Sequence, residues 1–332
     1  MAPHARRAGM AAAVVAAVVA LAALLAAPGA AAQAWPSRPI RLVAPFTPGG
    51  TTDTLSRLVA QKLSDAYRQP VIAENRPGAG GAIGSEQVAR AAPDGYLLLI
   101  SSLASQVIAP VVQKTSYEAL RDFTHIAILG GPPTAMGVGP ALAEVRDLAG
   151  LVALAKAKPG AVSYGTPGNG THGHIIAALF AQLAGIQLSH VPYKGSGPAV
   201  ADLVAGHVQL GPLTIAVLGP QLRAGKVRAL ATTASRRIPT MPEVPTFTEL
   251  GYPDLTGITW FGVAGPPRLP EAIAESLNRE IRKAMQAPDT RERLQPEGFE
   301  FPDLDLARTT EYVAAEARRW QPVARASAAK ND

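Results

Sequence analysis

Short apolar runs alternate with amphipathic stretches along most of the chain. Residues 40–44 and 71–74 are apolar runs of the length typical of buried strands. Between them, residues 52–63 place Leu55, Leu58 and other apolar side chains at the spacing of one helix face. The same alternation continues to residue 101, and it predicts a parallel sheet that is flanked by helices.

A Gly-Gly-Pro-Pro sequence at residues 130–133 interrupts this alternation. Beyond it, four helix–strand units are predicted between residues 147 and 232, and a stretch rich in Pro, Gly and Thr follows at residues 238–257. The chain then returns to one strand and two helices, at residues 258–264, 270–286 and 306–320.

A chain that builds one α/β lobe, builds a second and then returns to the first crosses between the lobes twice. We therefore predict a two-lobed α/β fold, in which each lobe is a mostly parallel sheet flanked by helices. Residues 35–132 and 255–332 are predicted to form lobe one, and residues 133–254 to form lobe two. The two crossings would act as a hinge, and a ligand is expected in the cleft between the lobes. The alternative is two independent domains in tandem, with the C-terminal helices in the second.

The N-terminus predicts export. Arg6 and Arg7 precede an apolar run at residues 10–27, and Ala-Gln-Ala at residues 32–34 matches the small-x-small pattern of a cleavage site. Residues 1–34 are therefore interpreted as a cleavable signal peptide for the periplasm, and a retained transmembrane anchor is the alternative. The chain contains no cysteine, which excludes a lipid anchor at the cleavage site, disulfides, thiolate metal sites and a cysteine nucleophile.

The charge of the mature chain is mildly positive. Arg6 and Arg7 are the only charged residues of the predicted signal peptide, so its removal lowers the formal net charge from +6 to +4. This balance suits an anionic small ligand. It does not indicate nucleic acid, because no cluster of Lys and Arg with interleaved aromatic residues is present. We expect a monomer.

The first candidate site joins the first predicted strand to the first predicted helix. Residues 45–53 have the sequence Pro-Phe-Thr-Pro-Gly-Gly-Thr-Thr-Asp. Gly49 and Gly50 let the backbone turn tightly and let a ligand approach closely. Thr51 or Thr52 is expected to cap the helix, whose free N–H groups and positive dipole end suit an anion. An ordinary capped turn is the alternative interpretation.

A similar turn recurs in the second predicted lobe, where residues 166–171 have the sequence Thr-Pro-Gly-Asn-Gly-Thr. It follows a predicted strand, and Thr171 is expected to cap the next helix. Because open α/β sheets hold ligands at the carboxyl ends of their strands, the two turns are expected to face each other across the cleft. That arrangement suits a dicarboxylate, or a monocarboxylate with a polar far end.

Other motifs have competing interpretations. The glycine cluster at residues 75–84 lacks dinucleotide-binding spacing and a phosphate-loop lysine, so it is interpreted as a structural turn. Lys194 lies in a further strand-to-helix turn, where it either reaches an anion or is solvated. His172 and His174 lie on different faces of a helix without a carboxylate at metal-ligand spacing, and one of them is expected to cap the helix or touch a ligand. No nucleophile–base pair is present, and we predict neither an enzyme nor a bound cofactor or metal.

A set of short motifs extends over essentially the whole mature chain. They are Pro-Phe-Thr-Pro-Gly-Gly with Asp53, Glu-Asn-Arg-Pro-Gly-Ala-Gly-Gly at 74–81, Ala-Ala-Pro-Asp-Gly-Tyr at 91–96, His-Val-Pro-Tyr-Lys-Gly at 190–195, Pro-Glu-Val-Pro-Thr at 242–246 and Trp-Phe-Gly at 260–262. As a set they resemble the Bug family, the substrate-binding proteins of the tripartite tricarboxylate transporter class.

The resemblance implies a periplasmic binding protein of the Venus-flytrap kind that closes around a small carboxylate, such as a citrate-like acid, an acidic amino acid or an aromatic acid. It implies two integral membrane transporter proteins as partners, and a membrane sensor kinase is the alternative partner. The family's ligand positions correspond here to Thr47, Gly49, Gly50 and Asp53 in lobe one and to Gly168, Asn169, Gly170, Thr171 and His174 in lobe two. Ser101 and Ser102 would line the same cleft, and Thr51, Thr166 and Lys194 complete the expected site.

This chain departs from the family pattern in three places. Ala-Pro at residues 109–110 replaces a usual Asn-Pro, and residues 130–139 are unusual where an apolar strand normally continues. Pro-Leu-Thr at residues 212–214 stands where an Asp or Asn often lines the cleft. The last change argues against a ligand ammonium group at that position. Asp53 either pairs with an amino group or favours the positive end of its helix.

Overall fold

The structure is a computed structural model that describes residues 35–328, with side chains described through residue 326. The predicted signal peptide, residues 1–34, lies outside the described residues. From Arg38 onward the chain forms one compact unit.

Ten strands in the described residues form two sheets. In chain order they are β1 (Ile40–Ala44), β2 (Val71–Asn75), β3 (Leu97–Ser102), β4 (Thr124–Gly130), β5 (Thr134–Val138), β6 (Ser163–Thr166), β7 (Ser189–Pro192), β8 (Leu210–Thr214), β9 (Arg228–Thr232) and β10 (Phe261–Gly265). The first sheet has the strand order β2-β1-β3-β10-β4, and the second has the order β7-β6-β8-β5-β9.

Each sheet is mostly parallel and contains one reversed strand. In the first sheet, β1 pairs in parallel with β2 and β3, and β10 runs antiparallel between β3 and β4. In the second sheet, β6 pairs in parallel with β7 and β8, and β5 runs antiparallel between β8 and β9. The chain crosses between the sheets from β4 to β5 and again from β9 to β10. The predicted two-lobed α/β fold is therefore confirmed. The first sheet belongs to lobe one and the second sheet to lobe two.

Helices connect and cover the strands. The α-helices are α1 (Thr51–Tyr67), α2 (Ala82–Ala89), α3 (Ala109–Val112), α4 (Leu148–Ala157), α5 (His172–Ala184), α6 (Ser196–Ala205), α7 (Ile215–Arg223), α8 (Glu271–Gln286), α9 (Pro288–Leu294) and α10 (Leu306–Ala328). A π-helical segment, Leu103–Ile108, follows β3 directly and continues into α3.

Helix α1 illustrates how the apolar pattern produces packing. Leu55, Leu58, Val59 and Leu63 are all buried on one face, as their helical spacing predicts. Burial of one such side chain stabilises the fold by about 1.5–3 kcal/mol. The helix ends at Arg68, which adopts a left-handed backbone conformation with φ of 52°.

One hydrophobic core includes side chains from both lobes. It joins Ile175 and Phe180 of α5 to Trp260 and to Trp320 of α10. Helix α10 packs against β4 and the π-helical segment of lobe one, and also against α5 of lobe two. Because the C-terminal helix contacts both lobes, the division at residues 132/133 and 254/255 remains a prediction.

The sequence pattern does not predict β4, β5, the helical stretch at residues 103–112, or α9. Strand β5 is buried at every position, so it lacks the alternation that marks a half-exposed strand. It continues strand structure within residues 130–139, where the sequence suggests a departure from the family. Strand β8 begins at Leu210, where the strand predicted at residues 208–210 ends, and it continues through Pro212, a residue that argues against a central strand. Pro212 is accommodated because β6 pairs with β8 only at Leu210.

Candidate functional site

A cavity of about 50 Å³ lies between the two lobes. Its lining includes residues at or just after the carboxyl ends of β1, β3, β6, β7 and β8. The reversed strands reach it from the opposite direction, through Thr134 at the start of β5 and Phe261 at the start of β10. This is the edge at which open α/β sheets bind ligands.

Hydroxyl groups dominate the polar lining of this interlobe cavity. A volume of this size holds only a few water-sized groups. The hydroxyl-bearing lining residues are Thr51, Thr52, Ser102, Thr134, Thr171, Ser196, Thr214 and Thr259. Phe46, Leu213 and Phe261 contribute apolar surface.

Five helical segments begin at the interlobe cavity. Gly50, Ser102, Thr171 and Thr214 are the N-cap residues of α1, the π-helical segment, α5 and α7, and Ser196 is the first residue of α6. All five residues line the cavity. The first N–H groups of a helix have no carbonyl partner within it, and its dipole makes this end positive. The cavity is therefore placed to bind an anion.

No ionised side chain lines the interlobe cavity among the described residues. Its one titratable lining residue is His172, whose Nδ1 lies 2.8 Å from Thr259 Oγ1 and 3.2 Å from Thr134 Oγ1. Burial, with a smaller contribution from the nearby positive charge of Arg319, lowers the pKa of His172 to about 3. The imidazole is therefore neutral near pH 7 and acts there as a hydrogen-bonding group.

The first glycine-rich turn is held by Asp53. Gly49 has φ of 86°, and its N–H donates to Asp53 Oδ2 over 3.2 Å. Arg57 lies 3.1 Å from the same carboxylate. Burial alone would raise the pKa of Asp53, but the hydrogen bonds from Arg57 and Gly49 bring it below its ordinary value. The expected cap at Thr51 or Thr52 is wrong: Gly50 occupies the N-cap position, without a side-chain cap.

The second turn is held by hydrogen bonds of its own. Thr166 Oγ1 donates to the carbonyl of Gly168 and lies 2.6 Å from His190 Nε2. Thr171 is the N-cap residue as predicted, but its hydroxyl donates to Gly168 O over 2.9 Å instead of capping α5. The Gly170 N–H donates to His174 Nδ1 over 3.3 Å.

Three stacked aromatic side chains support this turn. His174 stacks on His190 with ring centroids 4.3 Å apart, and His190 stacks on Tyr164 at 4.8 Å. Burial lowers the pKa of His174 to about 4, and burial together with the neighbouring His174 lowers that of His190 to about 3. Both rings are therefore uncharged supports of the turn near neutral pH.

The lobes touch each other around the cavity. The hydroxyls of Thr51 in lobe one and Thr214 in lobe two lie 2.9 Å apart. A Cβ placed on Gly80 would lie 2.5 Å from the carbonyl oxygen of Asn169, so the two backbones meet there without room for a side chain. A Cβ on Gly195 would overlap Thr47 Oγ1. The structure thus has a closed cleft.

Four of the predicted site residues line the interlobe cavity: Gly50, Thr51, Ser102 and Thr171. The other ten do not. Thr47, Gly49, Asp53, Thr166, Gly168, Gly170 and His174 belong to the two turns or their supports, Asn169 contacts Gly80, Ser101 is buried in β3, and Lys194 is exposed. The two glycines at the centres of the turns, Gly49 and Gly170, do not themselves share the cavity.

Several lining residues are missing from the sequence prediction. Thr214 is the N-cap residue of α7, and Ser196 follows Gly195, the N-cap residue of α6, so the helix-start signal after each predicted strand could have located both. Thr134 and Thr259 lie near the two crossings between the sheets, where no local motif marks them. His172 lines the cavity in place of His174.

Residues 35–328 contain neither a candidate membrane-spanning helix nor a cluster of metal-binding side chains. Within residues 35–328, no helix is both long and apolar enough to cross a membrane. The same part of the chain holds no group of three or more His, Cys, Asp or Glu side chains arranged to bind a metal ion.

Comparison with known proteins identifies relatives over most of the chain. Residues 55–328 match the TctC family, described as the tripartite tricarboxylate transporter family receptor. Protein BugT of Bordetella pertussis is 36% identical over 301 residues, which cover 90% of this chain and 92% of BugT. A UPF0065 protein encoded in the tcbD-tcbE intergenic region of Pseudomonas sp. strain P51 is 39% identical and covers 87% of this chain and 86% of its own length.

Solved structures share the fold. The R. palustris protein Rpa4515 with adipate has a TM-score of 0.84 and 34% identity, covering 88% of this chain and 98% of its own. MatC from Rhodopseudomonas palustris with bound malate has a TM-score of 0.83 and 32% identity, covering 87% of this chain and 100% of its own. The periplasmic binding protein BugD has a TM-score of 0.82 and 27% identity, covering 88% and 98%.

Proposed function

The chain belongs to the tripartite tricarboxylate transporter receptor family, and from that premise we propose that it captures a small carboxylate in the interlobe cavity and delivers it to a membrane transporter. Proteins of this family bind substrates and are not enzymes, which agrees with the expectation drawn from the sequence. The proposed compartment is the periplasm, reached through a signal peptide at residues 1–34.

The observation that carries the proposal is the convergence of five helix N-termini on a cavity without ionised side chains. Gly50 and Ser102 supply two of these ends from lobe one, and Thr171, Ser196 and Thr214 supply three from lobe two. The π-helical segment is already closed by a capping box between Ser102 and Ser105, whereas the other four ends have no side-chain cap. At those four ends an anion gains both unpaired N–H groups and favourable dipoles. The hydroxyl groups around them provide further donors at hydrogen-bonding range.

The lining also restricts the chemistry of the ligand. No carboxylate lines the cavity among the described residues, so a ligand ammonium group would be buried there without an opposite charge. Phe46, Leu213 and Phe261 offer apolar surface for a hydrocarbon segment. Carboxylates without an amino group fit both features, and the related proteins of known structure include one with adipate and one with bound malate.

A thermal-shift and calorimetric test of binding follows directly. Malate, adipate and a panel of other small carboxylates are added to the mature protein, and specific binding raises the melting temperature by mass action. Failure of every carboxylate to raise the melting temperature at millimolar concentration contradicts the proposal.

The variant Thr214→Val tests whether the carboxylate binds in this cavity. It removes a lining hydroxyl and its contact with Thr51 while keeping the side-chain shape. Loss of one such hydrogen bond is expected to weaken carboxylate binding about five-fold. Thr248→Val is the matched control, because Thr248 forms a comparable hydroxyl pair with Thr256, 2.6 Å apart, at an exposed position. Equal effects of the two variants would place the ligand elsewhere.

The delivery step needs a separate experiment. The mature protein, with and without a carboxylate that it binds, is used to capture partners from detergent-solubilised membranes of the source organism. Recovery of integral transporter subunits supports the proposed role in uptake. Recovery of a sensor kinase instead would assign the receptor to signalling.

A further inference from the structure

A second cavity, of about 210 Å³, adjoins the interlobe cavity. Gly50 and Thr51 line both cavities, so the two share a wall at the start of α1. On the side of lobe two, the second cavity is lined by Ala216 and Val217 in the first turn of α7. We call it the outer chamber.

The size of the interlobe cavity makes the outer chamber relevant to the ligand. Sites for small molecules have volumes of about 300–1,000 Å³, whereas the interlobe cavity has about 50 Å³. It can enclose a carboxylate and a short part of a chain, and a longer ligand must extend beyond it. The outer chamber is the adjoining space that both lobes enclose.

The walls of the outer chamber suit a hydrocarbon chain that ends in a negative charge. Leu55, Val217, Leu294 and Phe299 supply apolar surface. Arg293 also lines the chamber. Within the described part of the chain its guanidinium forms no hydrogen bond or short ion pair, although it lies near enough to Glu297 to act on the charge of that carboxyl group. An arginine with all its donors available is well suited to a carboxylate, which it can bind through two parallel hydrogen bonds.

One acidic group belongs to the same chamber. Burial raises the pKa of Glu297, and the nearby positive charges of Arg223 and Arg293 act in the opposite direction. Positive charge from Arg293, and from Arg223 outside the chamber, therefore acts on this one carboxyl group. The balance leaves room for one added negative charge beside Arg293.

We propose that the outer chamber is a second subsite of the receptor, in which Arg293 binds the distal carboxylate of a chain-extended dicarboxylate. The first carboxylate of this ligand lies in the interlobe cavity, and its methylene chain passes Gly50 and Thr51. The inference rests on the proposed function and narrows the ligand class to dicarboxylates with a spacer.

The test compares adipate with hexanoate, which has the same carbon chain and one carboxylate fewer. Arg293→Gln is expected to weaken adipate binding about five-fold and to leave hexanoate binding unchanged, since an exposed ion pair contributes up to about 1 kcal/mol. Glu297→Gln removes the opposing charge and is expected to strengthen adipate binding. Arg318→Gln on α10 is the matched control, because it removes the same charge from an exposed position outside both chambers.

Calorimetric titration of each variant with both acids decides the matter. Loss of adipate affinity in Arg293→Gln alone, with hexanoate and the Arg318→Gln control unaffected, supports the second subsite. The second subsite is refuted if Arg293→Gln changes the affinity for both acids equally or for neither. It is also refuted if the wild-type protein binds hexanoate but not adipate. In each of these cases the proposal that a carboxylate binds in the interlobe cavity is unaffected. Absence of binding by every carboxylate tested refutes the proposed function itself.

Discussion

Gly80 offers a direct test of the contact between the lobes. It lies in the glycine cluster that the sequence predicts to be a structural turn, and its φ is 57°. A Cβ at this position would lie 2.5 Å from the carbonyl oxygen of Asn169, a backbone atom of the second turn. Ordinary contact would require the two backbones to separate by about 1 Å, given a normal carbon–oxygen approach. Gly80→Ala is therefore expected to hinder closure of the cleft.

Two energetic effects of Gly80→Ala must be separated. A left-handed backbone costs about 1–2 kcal/mol for alanine relative to glycine. Gly185→Ala carries the same cost, because Gly185 has φ of 63°, but nothing lies within 4 Å of its added Cβ. The clash at Asn169 belongs to Gly80 alone, and overpacking of this kind costs about 1–3 kcal/mol. An opening of the cleft relieves it in the free protein, so the cost appears in ligand affinity.

The assay is a comparison of stability and affinity across the two variants. Both are expected to lower the free energy of unfolding in urea by similar amounts. Gly80→Ala is expected to weaken carboxylate binding about ten-fold relative to Gly185→Ala, which corresponds to about 1.4 kcal/mol. Small-angle scattering at saturating ligand should show a larger radius of gyration for Gly80→Ala. Equal affinities of the two variants would refute the role assigned to this contact.

Three further variants probe the supports of the site. Asp53→Asn is expected to lower the free energy of unfolding by about 1 kcal/mol at pH 7, because it removes the charged pair with Arg57. The pKa of Asp53 in the folded protein lies below its ordinary value of 3.8. In urea titrations the difference between the variant and the wild type should therefore shrink as the pH falls below about 3.8 and through that folded pKa. His174→Gln removes a group whose pKa falls to about 4 on folding. The wild type loses stability as the pH drops from about 6.5 toward 4, because the unfolded chain binds the proton. It should therefore lose about 2 kcal/mol more than this variant between pH 7 and pH 5. Gly173→Ala would place a Cβ onto the carbonyl oxygen of Pro212. It is expected to abolish ligand binding in calorimetry and to lower the free energy of unfolding by about 2 kcal/mol. Unchanged binding would show that close packing of α5 against β8 is not needed for ligand binding.

Local signals in the sequence account for the parts of the site that were predicted. A strand, a glycine turn and a helix follow one another in consecutive residues, so Gly50 and Thr171 could be placed at the cavity from the sequence alone. Thr134 and Thr259 could not, because they approach His172 only after the chain has crossed between the sheets at two distant points. Such contacts depend on the packing of the whole fold and have no signature in any short window.

Charge was a poor guide to the lining of the cavity. Asp53 and Lys194 are charged residues in turns that resemble ligand loops, yet Asp53 holds its own turn through Gly49 and Arg57, and Lys194 is exposed. In the proposed site, the capacity to bind an anion lies in backbone groups, which every residue carries. A sequence reveals that capacity only through the positions where helices begin.

In the proposed site, reliance on helix ends would couple ligand binding to closure of the cleft. A permanent positive side chain in one lobe would attract an anion equally well in an open cleft, because its charge does not depend on the other lobe. In the proposed site, the end of α1 supplies the equivalent of about half a positive charge from lobe one, because the capping box of Ser102 and Ser105 already closes the π-helical segment. Three more helices would raise the total to about two when lobe two closes. The anion thus interacts more strongly with the closed form, which is the difference in affinity that a ligand needs to shift a conformational equilibrium. The contact between Thr51 and Thr214 then forms at the point where both sets of helix ends meet.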